Sequence, residues 1–382
     1  MSKLSVIIVN YRVKHYLDQC IHSVKKALAG LDADIWVVDN CSGDDSVECI
    51  KKWHPDIHII ENDENLGFSR ANNQAIRQSS SDYVLLLNPD TVVGENVLAQ
   101  CVSFLDQHPH AGALGVKMLS AEGCFARESR RGVPTPLTAF FKMSGLCSLF
   151  PKNRWFGRYY MGYLDLDKTC QIEIVSGAFM MLNRKAIEKV GLLDEDFFMY
   201  GEDIDLSYRL LKGGYKNYYL PISIIHYKGE STVKSSYRYV YVFYEAMLIF
   251  FRKHFGNYGI FLSYAIKSAI YFRGVLAYVQ MQTNRALKMC RKETVVKHTH
   301  CFSMHKSAAC WKEQILQLLK KKNLRGSICV YDPSKVTYAE AIREIEQQKC
   351  KSSNRKEISF IYPSRQILIT SSKVYEWNNN KA

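Results

Sequence analysis

Long apolar runs are missing from this chain of 382 residues. No stretch of roughly 18 uncharged apolar residues occurs in it, so the sequence predicts no helix that spans a membrane. The N-terminus has no apolar segment followed by a cleavage site, and we therefore expect no secretory signal. The 12 cysteines show no even, regularly spaced framework. Reduced thiols and a cytoplasmic location follow as expectations.

Several ligand-binding motifs are missing as well. The chain has neither a P-loop nor the glycine fingerprint of dinucleotide-binding proteins, which removes support for nucleoside triphosphates and NAD as ligands. No recognised nucleic-acid-binding module occurs, and the basic residues are dispersed, so we expect no nucleic-acid partner. The His and Cys residues between Lys297 and Lys312 lack the paired spacing of a closed zinc site, so the sequence favours a linker there.

Positive charge is concentrated in the C-terminal part. Residues 1–230 carry 25 Lys and Arg against 28 Asp and Glu, whereas residues 231–382 carry 26 against 9. Such asymmetry favours a polyanionic partner. The segment 237–282 is rich in aromatic and aliphatic residues with spaced cations, which predicts basic amphipathic helices on an anionic membrane surface. Packing of these helices onto the catalytic domain is the alternative.

Strand and helix patterns alternate over the first 90 residues. Apolar, largely β-branched runs lead into Asn10 and Asp39, and a third apolar run precedes Asp90. This alternation predicts βαβ units with a mainly parallel sheet. Because such crossovers are right-handed, the three polar strand ends should share one edge of the sheet and form a site of nucleotide size.

The turn Asn88-Pro89-Asp90 follows a buried strand that begins at Tyr83. Pro89 cannot donate to a sheet ladder, so the strand should end there. An Asn-Pro-Asp sequence alone indicates an ordinary turn. A carboxylate at the carboxyl end of a strand, beside other polar strand ends, also suits Mg²⁺ or Mn²⁺.

Further polar segments follow along the chain. Residues 191–209 hold six carboxylates among aromatic residues, and the spacing predicts a helix that begins near Glu202 and carries Asp203 in its first turn. The segment 174–181 is predicted to be a strand that begins with small residues. Residues 222–227 are predicted to be a strand that ends at a histidine, and residues 125–170 to form a loop near an acceptor.

Six segments occur in order between residues 5 and 209: SVIIVNY, VVDN, ENLGFSRANNQAI, LLLNPD, SGAFMMLNR and GEDIDLSYR. Together they resemble family 2 glycosyltransferases of the GT-A fold, most of all the bacterial rhamnosyltransferase branch. The resemblance covers residues 4–232. It implies a Rossmann-like α/β domain with a mainly parallel sheet and flanking helices, and a nucleoside-diphosphate sugar as donor.

The resemblance also implies roles for individual residues. Asp203 would be the general base, with Gly177 and Glu202 on the acceptor side. Asp90 would hold Mg²⁺ or Mn²⁺, with His226 as a further ligand. Asn88 stands where many relatives have a carboxylate, which leaves the site one charge poorer. The expected donor-binding residues are Asn10, Tyr11, Asp39, Asn65, Gly67, Asn72 and Asn88. Asp205 is expected to be a structural hydrogen-bonding residue.

The predicted organisation has four parts: a catalytic domain over 1–232, a basic amphipathic helical region over 233–290, a linker over 291–325 and a small α/β appendage over 326–382. The function predicted is inverting, metal-dependent transfer of a single sugar to a lipid-linked or polysaccharide acceptor at the inner face of the cell membrane. Resemblance alone favours deoxythymidine-diphosphate-rhamnose as donor. A nucleotidyltransferase and a nucleotide-sugar-binding protein without turnover are the alternatives.

Overall fold

The computed structural model describes residues 2–227, 237–256, 302–311, 328–348 and 356–376 apart from position 372, with the single residues Thr283, Glu313 and Ile315. The strands in these ranges are β1 (Leu4–Asn10), β2 (Ala33–Asp39), β3 (His58–Glu61), β4 (Tyr83–Leu87), β5 (Thr91–Val92), β6 (Ala111–Leu119), β7 (Cys170–Ile172), β8 (Phe179–Asn183), β9 (Lys216–His226), β10 (Phe302–Met304), β11 (Ile328–Tyr331), β12 (Glu357–Tyr362), β13 (Ile367–Ile369) and β14 (Val374–Glu376). The α-helices are α1 (Lys14–Ala27), α2 (Ser46–Trp53), α3 (Gly67–Gln78), α4 (Val97–Gln107), α5 (Pro136–Met143), α6 (Leu146–Leu149), α7 (Arg184–Val190), α8 (Glu202–Lys212), α9 (Tyr237–Phe255) and α10 (Tyr338–Glu346).

The central sheet has the strand order β3-β2-β1-β4-β8-β6-β9-β5, and β7 pairs with β9. Strands β1 to β4 run parallel, so the predicted βαβ units are confirmed. Asn10 lies opposite Asp39, and β4 ends where Leu87 lies opposite Ile8. The carboxyl ends of these strands therefore share one edge, as predicted.

Helices cover both faces of this sheet. On one face the apolar sides of α1 and α4 pack against alternate residues of β1, β4 and β6. On the other face α3, α7 and α8 pack against the remaining buried residues of the same strands. Burial on both faces explains why the strands appear in the sequence as nearly continuous apolar runs.

Strand β9 pairs in parallel with β6 on both sides of a bulge. Val116 lies opposite Leu220, whereas Lys117 lies opposite Ser223. Two residues of β9, one of them a proline without a backbone donor, therefore bulge out of the ladder. Beyond the bulge β9 pairs antiparallel with β5, and Thr91 lies opposite His226.

The predicted strand over 174–181 is shorter than expected. β8 begins only at Phe179, and the preceding small residues Gly177 and Ala178 form a turn. The backbone groups of this turn bond elsewhere: the Asn88 N–H donates to the Ala178 carbonyl at 3.0 Å, and the Gly177 N–H donates to a side chain of α8. These bonds replace the ladder that a longer strand would make.

The C-terminal part forms a second sheet with the order β10-β11-β12-β13-β14, covered by α10. The described part of the appendage predicted over 326–382 contains the strands β11 to β14 and the helix α10, and is therefore of mixed α/β composition. β10 pairs with β11, so residues 302–311 belong to this sheet although they fall in the predicted linker. The unit shares a core with the first domain, where Tyr16, Tyr227, Tyr338 and Phe360 meet. The Glu95 carboxylate accepts from the first backbone N–H groups of α10, at 2.8 and 2.9 Å.

The first basic helix, α9, packs on the catalytic domain. Ala246 and Phe250 are buried in a cluster with Phe197 and Ile204. No helix in the described part of the chain is both long and apolar enough to cross a bilayer. Of the region 233–290 the structure describes residues 237–256 and Thr283. The rest of this region and the His and Cys residues at 298–301 lie outside the described residues.

Candidate active site

A cleft of about 410 Å³ opens at the carboxyl edge of the central sheet. Nine of the predicted site residues line it: Tyr11, Asn65, Gly67, Asn88, Asp90, Gly177, Glu202, Asp203 and His226. Three others, Asn10, Asp39 and Asn72, are not among the residues that line it. The structure thus brings most of the predicted residues together, although they come from segments up to about 200 residues apart in the chain.

Asn10 and Asp39 form a buried network behind the cleft wall. The Asn10 Nδ2 donates to Asp39 Oδ1 at 2.7 Å and to Ser42 Oγ at 3.0 Å. The Ser42 backbone N–H donates to the other oxygen of Asp39 at 3.0 Å. These bonds join the ends of β1 and β2, and Asn10 Oδ1 is buried without a hydrogen-bond partner among the described residues.

The loop before α3 forms the next part of the wall. Asn40 Nδ2 donates to Asn65 Oδ1 at 2.8 Å, and the Gly67 N–H donates to the same oxygen at 3.0 Å. Gly67 has φ +81°, and a Cβ there would collide with the Phe198 carbonyl. Close approach of backbone to backbone requires glycine at this position, whereas the sequence suggested approach to a ligand. Asn72 lies inside α3, where it donates to the Phe68 carbonyl at 2.8 Å.

Asp90 and His226 form a buried pair at the floor of the cleft. Asp90 Oδ1 lies 3.2 Å from His226 Nε2, and Asn88 Nδ2 lies 3.4 Å from the same nitrogen. The β5–β9 pairing places the two residues together, and the Tyr227 N–H donates to the Asp90 carbonyl at 3.0 Å. The side chains of Asp90 and His226 are only 2% and 8% exposed.

This donor set fits a divalent cation that also binds phosphate oxygens. One carboxylate oxygen and one imidazole nitrogen lie close together at the cleft, and Mn²⁺ accepts both ligand types while Mg²⁺ favours oxygen. His226 Nδ1 is buried without a hydrogen-bond partner among the described residues. Within those residues no group of three or more His, Cys, Asp or Glu side chains could hold a metal. Oxygens of a bound substrate would therefore have to supply the remaining ligands.

Asp203 occupies the first turn of α8, as predicted. Its Oδ2 accepts from the Gly177 N–H at 3.0 Å and from the Arg131 guanidinium, and its Oδ1 accepts from the Ile204 N–H at 2.8 Å. Burial lowers the pKa of Arg131, but the charge of Asp203 outweighs this effect and leaves that pKa raised. The ion pair fixes the carboxylate at the cleft wall with its side chain 14% exposed.

Glu202 has a different environment from its neighbour. It is 6% exposed, and its Oε2 has no hydrogen-bond partner among the described residues. Burial, followed by the charge of Asp203, raises the pKa of Glu202 to about 8. At neutral pH Glu202 is therefore protonated while the carboxylate of Asp203 is paired with a guanidinium.

Asp205 points away from the cleft, in agreement with its predicted structural role. Its Oδ2 accepts from Arg209 Nε at 2.7 Å, and its Oδ1 lies 2.6 Å from His254 Nε2 of α9. Burial raises the pKa of Asp205, but the hydrogen bond from His254 and the charge of Arg209 outweigh it and lower that pKa. The network attaches α9 to α8.

Some residues of the cleft were not singled out from the sequence. They are Asn40, Glu128, Lys142, Tyr159, Tyr160, Ala246 and Met247. Four of them lie within the segment 125–170, which was predicted to be near an acceptor and which also carries Arg131. Ala246 and Met247 come from α9, and nothing in the sequence pattern of that helix indicates that it reaches the cleft.

Comparisons with known proteins relate this chain to glycosyltransferases. The model of the family "Glycosyl transferase family 2" matches residues 5–191. An N-acetylglucosaminyl-diphospho-decaprenol L-rhamnosyltransferase of Mycobacterium tuberculosis is 26% identical over 72% of this chain and 92% of its own length. A hexosyltransferase of low-salt glycan biosynthesis from Haloferax volcanii is 30% identical over 55% of this chain and 62% of its own.

Among solved structures, a mannosyltransferase of Pyrobaculum calidifontis in complex with GDP-Man and Mn²⁺ is 17% identical, with a TM-score of 0.46 over 75% of this chain and 81% of that one. The family assignment rests on the sequence comparisons, and the geometry of the site rests on the residues of this chain. Residues 5–191 therefore carry a glycosyltransferase family 2 domain, and with these relatives it identifies the protein as a sugar-transferring enzyme.

Proposed function

We propose that this enzyme transfers a single sugar, with inversion, from a nucleoside-diphosphate sugar to a lipid-linked acceptor, and that it depends on Mg²⁺ or Mn²⁺. One observation carries the proposal. The Asp90–His226 pair and the Asp203 carboxylate, which come from different parts of the sheet edge, face the same cleft. A site that binds a diphosphate and a hydroxyl side by side needs both groups.

Asp90 and His226 would hold the cation, with Asn88 next to the imidazole. When bound, the cation supplies Lewis-acid stabilisation of the negative charge on the departing diphosphate. Tyr11 and Asn65 of the same cleft would contact the nucleoside. Asn10 and Asp39 would support that contact from behind through the network with Ser42.

Asp203 would be the general base. It would accept the proton of the acceptor hydroxyl as that oxygen forms a bond to the anomeric carbon and the bond to the diphosphate breaks. Arg131 and the Gly177 N–H hold one carboxylate oxygen and so fix the orientation of the group. The raised pKa of Glu202 favours its protonated form at neutral pH, and in that form it would donate a hydrogen bond to an acceptor.

The relative from Mycobacterium tuberculosis supports the choice of substrates. Its name describes rhamnose transfer to a decaprenol-linked sugar, and this chain covers 92% of its length. We extend that chemistry to this protein as a rhamnose-type donor and a lipid-diphosphate acceptor in cell-envelope glycan synthesis. An acceptor of this kind would place the enzyme at the cytoplasmic face of an anionic membrane.

The test is a metal titration with the variant Asp90→Ala. The protein is incubated with a panel of nucleotide sugars and a lipid-diphosphate-linked N-acetylglucosamine, and release of nucleoside diphosphate is measured with Mg²⁺, with Mn²⁺ and with excess chelator. We expect turnover to be lost in chelator and in Asp90→Ala, and donor binding by the variant no longer to respond to the cation. The exposed Asp165→Ala is the matched control and should behave as the wild type.

Two results would contradict the proposal. Undiminished turnover in excess chelator would exclude the metal-dependent mechanism. Donor binding without release of nucleoside diphosphate from any sugar of the panel would favour a nucleotide-sugar-binding protein instead.

A further inference from the structure

Exposed apolar side chains are concentrated in one short segment beside the cleft. Among the described residues six large apolar side chains are exposed, and five of them lie between positions 137 and 155. These five are Leu137, Phe140, Leu149, Phe150 and Trp155, with exposed fractions of 52–73%. We call them the apolar platform. Single exposed apolar residues are ordinary in proteins, whereas a cluster of this kind marks a surface that interacts with a protein or a membrane.

The platform is the outer side of a packed unit. Inside the unit the rings of Phe141 and Phe156 meet edge to face at 4.9 Å, and Cys147 is buried. Thr135 caps α5 by accepting from the Thr138 N–H at 3.2 Å. The exposed side chains therefore belong to a segment whose other side chains are packed.

The charged residues of the segment that carries the platform have one sign. No Asp or Glu occurs between Ser129 and Leu164, whereas Lys152 and Arg154 are exposed next to Trp155. Aromatic side chains accompanied by Lys and Arg are the composition of surfaces that enter the headgroup region of an anionic bilayer. Each cation near such a surface adds favourable attraction to the anionic lipid.

The same unit lines the cleft on its other side. Lys142 of α5 and the tyrosines at 159 and 160 belong to the cleft wall, and the Lys142 ammonium lies 3.7 Å from the centroid of the Tyr159 ring. A lipid surface against the platform would therefore be close to the acceptor side of the cleft. A lipid-linked acceptor could then keep its hydrocarbon in the bilayer while its polar head enters the cleft.

We infer that the apolar platform, with Lys152 and Arg154, docks the enzyme on an anionic bilayer. The platform lies in a different part of the sequence from the basic region 233–290, for which the sequence predicted the same partner. The use of docking to present a lipid-linked acceptor rests on the proposed function. Docking itself does not, because it can be measured without donor or acceptor.

The first experiment measures co-sedimentation of the full chain with vesicles of phosphatidylcholine alone or mixed with phosphatidylglycerol. We expect the wild type to bind the anionic vesicles and to lose binding as salt is added. The triple variant Phe140→Ser, Leu149→Ser, Trp155→Ser should bind at least about tenfold more weakly, because it removes the apolar contact. Circular dichroism and thermal unfolding check that this variant is folded.

Two double variants with the same change of net charge distinguish the effect of the platform on vesicle binding from the effect of overall charge. Lys152→Glu with Arg154→Glu should weaken binding to anionic vesicles. Lys52→Glu with Lys185→Glu makes the same change of net charge at exposed positions of α2 and α7, and should leave binding near that of the wild type. Equal losses in the two double variants would overturn the role of the platform.

Tryptophan fluorescence locates the contact. Vesicles with brominated acyl chains should quench the wild-type emission, and Trp155→Phe should remove most of that quenching while it preserves binding. Quenching that is unchanged in Trp155→Phe would place the contact elsewhere. Full vesicle binding by the triple variant would likewise overturn the inference.

Two further outcomes are distinguishable. A triple variant that dissociates from dimer to monomer in sedimentation, with unchanged vesicle binding, would assign the platform to a second copy of the chain and overturn docking. Vesicle binding that follows the expected pattern, without sugar transfer to any lipid-linked acceptor, would retain docking and reject the proposed function.

Discussion

Replacement of Asp203 by Asn tests the assignment of the general base. The amide keeps the shape of the side chain, and its oxygen can still accept from Arg131 and the Gly177 N–H. In the wild type the Ile204 N–H donates to the carboxylate at 2.8 Å. The NH₂ group of the asparagine is also a donor, so this hydrogen bond would be lost. Loss of this hydrogen bond and of the charge that pairs with Arg131 should lower the free energy of unfolding by about 3 kcal/mol, and circular dichroism checks that the variant is folded.

The expected main effect is on the turnover of the folded variant. Loss of a general base lowers the rate about 10²–10⁴-fold, which corresponds to roughly 3–5 kcal/mol in the activation barrier. The donor site does not include Asp203 in our proposal, so donor affinity should stay the same. The assay is nucleoside-diphosphate release under saturating donor, together with calorimetric donor binding.

The two neighbouring carboxylates of α8 provide the comparison. Asp205→Asn breaks the buried pairs with Arg209 and His254, and we expect it to lower the free energy of unfolding by about 3 kcal/mol while folded molecules retain most of their turnover. Glu202→Gln resembles the protonated side chain that is present at pH 7, so turnover there should change by less than about tenfold. If either variant loses more turnover than Asp203→Asn with its fold intact, the base has been assigned to the wrong residue.

Two further predictions concern stability. The pKa of Glu202 rises from an ordinary value of 4.5 to about 8 on folding, so between these pH values the native state binds more protons than the unfolded state, and the free energy of unfolding should fall as pH rises from 4.5 to 8. Denaturant titrations should show this slope in the wild type and a smaller one in Glu202→Gln, and equal slopes would contradict the raised pKa. Glu95→Ala removes the acceptor of two backbone N–H groups at the start of α10, and we expect a loss of about 1–2 kcal/mol in the same titrations. The exposed Glu48→Ala is the control, and an equal effect of the two variants would show that the contact with α10 does not stabilise the protein.

Local patterns were sufficient for much of the fold. The alternation of strands and helices predicted that Asn10, Asp39 and Asp90 share one edge, because right-handed crossovers between parallel strands bring their carboxyl ends to the same edge of the sheet. The start of α8 followed from helical spacing and from carboxylates that suit a helix N-terminus. The mixed α/β composition of the appendage after residue 326 was also predicted from the sequence.

Contacts between distant segments could not be predicted in the same way. Arg131 and Asp203 are 72 positions apart, His254 and Asp205 are 49 apart, and Glu95 meets Ala339 across 244. Each pairing depends on how the helices and turns pack, and one sequence holds no periodic signal for it. The pairing of residues 302–304 with β11 was missed for this reason, and the packing of α9 on the catalytic domain was predicted only as an alternative.

The bulge in β9 has a consequence for how relatives of this protein can differ in length. Side chains alternate between the two faces of a strand, so His226 reaches Asp90 only if the number of residues between the bulge and the histidine keeps its parity. An insertion or deletion of one residue there would turn the imidazole to the opposite face, whereas a change of two could be absorbed by Pro221 and Ile222, which already lie outside the ladder. Enzymes that retain this pair of side chains should therefore vary in even steps along this strand, and an alignment gap of one residue should coincide with loss of the histidine.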